Sequence, residues 1–472
     1  MFFDKLISTY LKTQTISFLF LGWLITLPFG AKIASVSVGL FTIYPNLIFT
    51  LFLLPYFFFS FKKWNKFAKF LFGFLLIWLI TAIFVSITKG LNSEALFDIR
   101  SLFFQLFFYS VILNTFSLLG TLKFKENIVT GLRFFFGILL FFGLVEFFTG
   151  IHFAGFTTAK FEVMPISNVF YAPLFIYDNP NDYLCYGLIV LLFLVIFDSK
   201  LREKKFLIDL FLVIFFFFAQ YADSKFGMWT SFILLAFHGI WMLLEKAKTI
   251  NWYKIAPYFI GLMLLVVLVI SNPLFIGPKY KNGANYRLND LKLLTEKEGN
   301  FKIQSAKETL TPEDQNKLIQ YLDSANTKSP EGSSSIRKNL IFNGIDFIKE
   351  APFSGIGPGA YRTRHITGKV NYPVHTLTSA HNFPIELISQ YGLFGWIYFG
   401  IIGWFFIQSL KAWKSLKEEK NLWLIALFCI LPILWMMPSS YLYLDINWLF
   451  LPFVFCVISM NQSKTQVDEI RE

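Results

Sequence analysis

The sequence predicts an all-α polytopic membrane protein of about twelve transmembrane helices, with one large extracytoplasmic helical loop. Three observations predict it. The 472 residues are 55% hydrophobic and 15% charged, with a mean hydropathy of +0.56, whereas soluble chains carry roughly 25% charged residues. Apolar runs of spanning length recur from end to end. The cationic residues are segregated along the chain in the way membrane topology requires.

Twelve spans are expected at approximately 14–30, 43–60, 70–87, 99–119, 130–149, 181–198, 206–220, 226–244, 256–272, 384–410, 422–437 and 447–460. With the N-terminus inside, the cytoplasmic segments include 61-FKKWNKFAK-69, 199-SKLREKKF-206, 245-EKAKTINWYK-254 and 411-KAWKSLKEEK-420. Together with the tails they hold 21 of the 42 Lys and Arg residues. The positive-inside rule then places both termini in the cytoplasm of a multi-pass protein of the cell inner (plasma) membrane. The formal charge of +12 is therefore mostly topology, and no nucleic-acid partner is expected. Lys5 and Lys12 precede the first apolar run like the start of a signal peptide. A clear small-residue cleavage site is lacking, however, and the orientation works only if the segment is retained. Cys185, Cys429 and Cys456 all fall in expected spans, so neither a disulfide framework nor a cysteine zinc site is expected.

The organisation is thus helices 1–9 over 1–272, an extracytoplasmic loop over 273–380, helices 10–12 over 381–460, and a cytoplasmic tail over 461–472. The 108-residue loop holds 15 Lys+Arg and 10 Asp+Glu, and connections of that length are usually functional. Two helices are expected in it. The segment 311-TPEDQNKLIQYLDSA-325 opens with Thr311 as cap, Pro312 at the first helical position, and Glu313 and Asp314 against the dipole. The segment 334-SSIRKNLIFNGIDFIKE-350 carries an apolar stripe of Ile336, Leu340, Ile341, Ile345 and Ile348, which suggests that it lies on the membrane-embedded body. The tight turn 351-APFSGIGPGAYR-362 follows, with Gly355, Gly357 and Gly359 as structural residues.

Candidate chemistry concentrates after this loop. His365, His375 and His381 cluster there; His152 lies in an outer connection, and His238 reads as packed within a span. His381 and Asn382 stand at the outer mouth of the tenth span. Taken alone, an interfacial ring is the commoner role, while a neutral imidazole can also serve as a general base. Gly392, Gly395, Gly400 and Gly403 would share one face of a continuous helix about 140° wide, allowing close helix approach that fixes the ring. Arg100 and Arg133, at or within spans, are equally readable as snorkelling or functional cations.

The pattern His381-Asn382, nine residues, then Gly392-x-x-Gly395 resembles the signature of the bacterial O-antigen ligase and Wzy-type polymerase superfamily. The stretches 177-YDNPNDYLCYGLIV-190, 222-ADSKFGMWTSFILL-235 and 335-SIRKNLIFNGIDFIKEAPFSGIGPGAY-361 agree with it in order, so the resemblance covers about 180–410. It implies transfer of a glycan from an undecaprenyl-diphosphate carrier to an acceptor hydroxyl outside the cytoplasmic membrane. The acceptor would be a glycan or lipid, the bilayer a partner, and other polysaccharide-assembly proteins further partners. His381 would be the catalytic base and Arg337 would hold the diphosphate, joined by Lys225, Arg362 and Arg364 on the same side. Where the family usually shows Ser-Arg, this chain has Ser224-Lys225, which keeps the charge and loses the bidentate fork. Asn382, Asn181 and Glu386 are candidate substrate contacts, although 178-DNPND-182 also reads as a plain helix start.

The chemistry makes independent sense of these residue types. A lipid diphosphate is already a good leaving group, so an inverting attack needs a base and charge neutralisation more than an acid. No cofactor or metal is expected, because there is no Asp-x-Asp motif, no Gly-Lys-Ser/Thr phosphate loop and no carboxylate in 31-AKIASVSVGLFTIYP-45. A lipid-linked oligosaccharide flippase would also need about twelve spans, but charges spread through them. An O-linked protein oligosaccharyltransferase of the same superfamily is a further alternative, differing in acceptor alone.

Overall fold

In the computed structural model, residues 12–27, 36–38, 41–43, 45–149, 180–222, 224–246, 333–372, 374, 380–416, 418–438 and 444–471 are described. The ninth expected span, the helix expected over 311–325, His152 and His375 lie outside them. The described chain is helical apart from one hairpin. Its helices are α1 (Thr13–Thr26), α2 (Pro45–Leu53), α3 (Tyr56–Ser60), α4 (Lys66–Lys89), α5 (Ser93–Thr149), α6 (Pro180–Phe197), α7 (Ser199–Glu203), α8 (Lys205–Tyr221) and α9 (Lys225–Lys246). After the undescribed segment come α10 (Ser333–Glu350), α11 (Ala360–Ile366), α12 (Phe383–Tyr391), α13 (Leu393–Leu416), α14 (Glu419–Leu434) and α15 (Asp445–Arg471).

Among the described residues, four helical segments are long and apolar enough to cross a membrane: Pro45–Lys63, Lys66–Lys89, Ser93–Phe148 and Leu393–Leu416. Three shorter apolar helices accompany them, at Thr13–Thr26, Asn181–Phe197 and Ile446–Gln462. The chain is therefore a membrane protein, and the count of twelve crossings belongs to the sequence reading. The α4 helix shows why length and hydropathy agree here. Leu71, Leu75, Trp78, Leu79 and Ala82 are buried against neighbours, while Phe70, Ile77, Ile80, Phe84 and Ile87 are each more than half exposed. A helix apolar on both faces suits lipid outside and protein inside.

Three details depart from the sequence expectation. Residues 36–43 hold a short antiparallel hairpin, pairing Val36 with Ile43 and Val38 with Phe41, where an all-helical chain was expected. Its V-S-V-G-L-F-T-I alternation favours strands. The α5 segment is broken at Gly120, whose φ of 72° separates the fourth and fifth expected spans. Most consequentially, the tenth expected span is two helices, because Gly392 has φ 52° and ψ −117°.

That break overturns the glycine-stripe reading. Gly395 lies against the backbone of Ile388, so it lets α13 fold close to α12, while Gly400 and Gly403 face open space. The glycines serve a turn and not a helix–helix seam.

The turn is held by the loop 351–359. Leu393 N donates to Phe353 O (2.8 Å), Ile356 N to Ser389 O (2.8 Å) and Gly357 N to Gln390 O (3.0 Å). Backbone meets backbone, and glycines make the approach possible. A Cβ on Gly355 (φ 68°) would sit 2.2 Å from Gln390 O, and one on Gly392 would sit 2.2 Å from Phe353 O.

Elsewhere, several charged or titratable groups of the apolar helices meet a partner. His238 Nδ1 meets Asp209 Oδ1 at 2.6 Å across α8 and α9, and its ring packs on Trp423. Arg133 Nε donates to Asp198 Oδ2 at 2.7 Å, while the other Asp198 oxygen caps α7. Arg100 lies over the Phe104 ring.

Gly355→Ala should destabilise the protein by at least about 2 kcal/mol, combining a positive φ with a backbone clash. Gly400→Ala, which adds a methyl to open helix surface, should be neutral or slightly stabilising. Thermal unfolding in detergent distinguishes them; equal effects would mean that the loop does not dock here.

Candidate active site

The elements between α9 and α13 carry their own small core of Leu340, Phe347, Ile356, Tyr361, Val374 and Ala380. On α10 the buried face is Leu340, Asn343, Gly344 and Phe347, with Ile336 packed beside it. Ile341, Ile345 and Ile348 are only half-buried. The expected stripe is therefore rotated, because Phe347 and the small Gly344 turn inward. Gly344 brings α10 against α12, where a Cβ would come within 2.1 Å of the Ile385 side chain.

This packing sets Arg337, near the start of α10, alongside His381, at the start of α12. Asn382 caps α12 by accepting from Ile385 N at 3.2 Å. His381 itself takes φ 47°, the one positive φ outside glycine among the described residues. An L-residue holds that left-handed conformation at a cost of about 1–2 kcal/mol, and such strain concentrates at functional positions.

The electrostatics of the ring follow from its surroundings. Burial first, and the Arg337 charge second, lower the His381 pKa to about 4, partly offset by a hydrogen bond to the Pro438 backbone. The imidazole is thus neutral at ordinary pH. Its Nδ1 is buried with no hydrogen-bond partner among the described residues.

Arg337 is half-buried, and burial alone lowers its pKa. Its guanidinium lies 5.9 Å from the centre of the Phe226 ring, and it forms no ion pair with a described carboxylate. Phe226 follows Lys225, the exposed first residue of α9, whose end is held by Ser224 Oγ accepting from Gly227 N at 3.2 Å. Lys225 likewise has no described carboxylate partner. Arg337 therefore lies near both His381 and the start of α9.

The other expected cations do something different. Arg362 pairs with Glu94 at 2.8 Å, and Arg364 grips Glu350, with Nη2 to Oε1 at 2.7 Å, over the Phe347 ring. Two arginines of the expected diphosphate set are thus paired with carboxylates. The Arg364 pairing also lowers the Glu350 pKa. Glu386 is buried in α12; burial first, and the Glu386 charge second, raise the Tyr361 pKa. Asn181 stands in the first turn of α6, half-buried.

His365 is structural. Its Nδ1–H donates to Tyr361 O at 2.7 Å, so Nε2 is left as acceptor for Asn343 Nδ2 at 3.2 Å. Burial lowers its pKa to about 4, and protonating Nε2 would set one donor against another.

Sequence reasoning missed a second tier. Gly359 N donates to Asp98 Oδ2 at 2.9 Å, Tyr391 Oη donates to the same oxygen at 3.0 Å, and Lys89 Nζ donates to Ile356 O at 3.0 Å. Lys89 ends α4, and Glu94 and Asp98 lie in the first two turns of α5, on either side of the short connection. Their only sequence signal was three charges within ten residues beside apolar spans. Among the described residues, no group of three or more His, Cys, Asp or Glu side chains is placed to hold a metal ion.

With this geometry in hand, the comparison with known families is specific. Residues 210–400 match the family described as Wzy_C, O-Antigen ligase. The match supports the O-antigen ligase/Wzy superfamily over that stretch. A search of curated proteins gave no match. The O-antigen ligase match runs from α8 into α13, and so includes Lys225, Arg337, the glycine loop and His381.

His365 yields a pH test. Its pKa is about 4 folded and about 6.5 unfolded, so the unfolded chain binds the extra proton between those values. Stability is full above pH 6.5 and falls by roughly 3 kcal/mol as pH drops to 4. His381 adds to the loss in the same direction. Melting temperature measured from pH 7 to 4.5 should fall, and His365→Gln should flatten the slope; an unchanged slope would contradict a neutral buried His365.

Proposed function

We propose that the chain is a glycosyltransferase of the polyprenyl-diphosphate-glycan ligase or polymerase type. It would move a glycan from an undecaprenyl-diphosphate donor to an acceptor hydroxyl on the outer side of the cytoplasmic membrane, in cell-surface polysaccharide, exopolysaccharide or O-antigen assembly. The observation that carries this reading is Arg337: a half-buried guanidinium without a described carboxylate partner, beside a neutral, strained histidine. A desolvated cation is favoured by an incoming anion.

In this reading the acceptor O–H gives its proton to the His381 imidazole as its oxygen attacks the anomeric carbon. The bond from that carbon to the diphosphate oxygen breaks, and its electron pair leaves with undecaprenyl diphosphate. Attack opposite the leaving group inverts the anomeric configuration. Arg337 and Lys225 balance the charge gathering on the diphosphate, so no metal is required of the mechanism. Arg362 and Arg364 stay paired with their carboxylates, Asn382 caps α12, and Glu386 and Asn181 are kept as sugar contacts.

His381→Ala should abolish transfer at normal membrane abundance, and Arg337→Ala should lower it by about a hundredfold or more. Product assayed with a purified lipid-diphosphate donor reads both, and wild-type yield from either variant would sink the proposal. The polymer in a deletion strain separates the acceptors: single repeats mean polymerase, and full-length polymer left on the carrier means ligase.

Lys225 offers a finer test. Lys225→Arg should keep activity if the residue is a phosphate contact, whereas Lys225→Ala should lose it. Equal loss in both would remove Lys225 from the donor site. The pH profile should split as well: kcat/KM, which reports the free enzyme, should lose its acidic limb near pH 4. The limb in kcat should lie higher, because bound diphosphate offsets Arg337. An acidic limb of kcat/KM at 6.5 or above would contradict His381 as the base.

A further inference from the structure

The far end of α4 carries a second feature, unrelated to the transfer site. A cavity of about 400 Å³ opens there between the short 3-10 turn before α4, the α5 segment around 113–117 and the middle of α15. The 24 residues of α4 put it about 35 Å along the helix axis from Lys89 and the glycine loop. It lies in the lysine-rich connection 61–69, which the charge asymmetry assigns to the cytoplasmic face.

The lining is chemically one-sided. Lys63, Asn65, Ser117, Ser459 and Gln462 supply its polar groups, and no lining residue is acidic. The Asn65 Oδ1 is already used, accepting from Ala68 N at 2.8 Å, so its free capacity is the NH₂ donor. Lys62, Lys63 and Lys66 form no ion pair with a described carboxylate. A lysine among hydroxyl and amide groups, with no carboxylate in the lining, favours an anion over a cation or an amine.

The remaining walls say which anion. Phe116 and Phe455 line the same cavity, and the volume falls in the range of small-molecule sites, far beyond what a bare phosphate fills. Basic pockets between transmembrane helices at the cytoplasmic face suit lipid headgroups. We infer that this cavity binds the phosphate headgroup of an anionic phospholipid of the inner leaflet, with Lys63 on the phosphate and Phe116 and Phe455 against the acyl-chain end.

The site stands or falls independently of glycan transfer, because its readout is lipid retention. The full chain in detergent is offered phosphatidylglycerol, phosphatidylcholine or inorganic phosphate, and bound species are read by native mass spectrometry. Phosphatidylglycerol should be retained at one per chain and phosphatidylcholine should not. Lys63→Glu should weaken retention about tenfold while Lys63→Arg keeps it. Ser459→Phe, which fills the cavity without touching charge, should also lose the lipid at an unchanged melting temperature. Equal retention of both lipids, or indifference to Lys63→Glu, would overturn the inference. Displacement by millimolar inorganic phosphate would overturn the lipid source and leave a free-anion site.

Discussion

The candidate site depends on a contact between two stretches of backbone. The loop at 353–357 and the turn at 389–393 exchange main-chain hydrogen bonds, an approach that side chains would prevent at Gly355 and Gly392. The contact turns two liabilities into one solution. The broken helix end after Tyr391 has unmet polar groups at its terminus, and so has the tight glycine loop. Each satisfies the other. Asp98 then fastens both partners from a third element, since one carboxylate oxygen accepts from Gly359 N in the loop and from the Tyr391 hydroxyl at the turn. A fully buried carboxylate shared in this way resists shear between the two segments, because sliding either one breaks its bond.

Everything chemical hangs from that contact. The α12 helix, only nine residues long, has its C-terminal end clamped by the loop and its N-terminal end capped by Asn382, with His381 immediately outside. The α10 helix leads into the loop and is drawn against α12 at Gly344, and this sets Arg337 beside the ring. The stretch that matches the O-antigen ligase family ends at 400 and begins at 210, yet Lys89, Glu94 and Asp98 lie far ahead of it. The α4–α5 junction is therefore part of the site's support, and the matched stretch alone does not contain everything that positions its own histidine.

Legibility in the sequence followed the range of the forces involved. Helix positions were readable because apolar runs and lysine clusters are local patterns. The glycine turn was readable because consecutive Gly and Pro residues have no other common use. His381, Arg337 and Lys225 were singled out from motif order, and Arg337 lies near both His381 and the start of α9. What was not legible depended on partners distant in sequence. Nothing local says that Gly392 ends a helix, because the loop that makes the break favourable lies more than thirty residues earlier. The carboxylate that occupies Arg362 lies on another helix altogether, so charge alone could not separate Arg362 from Arg337. The rotation of the α10 face has the same origin: Ile345 and Phe347 are both apolar, and only the shape of the facing α12 decides between them.

His365 and His381 show how one direction of pKa shift serves opposite ends. Both rings are held neutral by burial. At His365 neutrality completes a structure, for its two nitrogens are matched to a carbonyl on one side and an amide on the other. At His381 the balance is unfinished, with an unpartnered Nδ1, an unfavourable backbone conformation and a neighbouring guanidinium whose charge opposes protonation. In the proposed reaction an arriving diphosphate would neutralise that guanidinium, and the obstacle to protonating His381 would shrink at that moment. Donor binding would then raise the basicity of the ring that must accept the acceptor's proton. A base that strengthens only when the leaving group is seated links activation to occupancy through a single electrostatic contact, with no moving part beyond the donor itself.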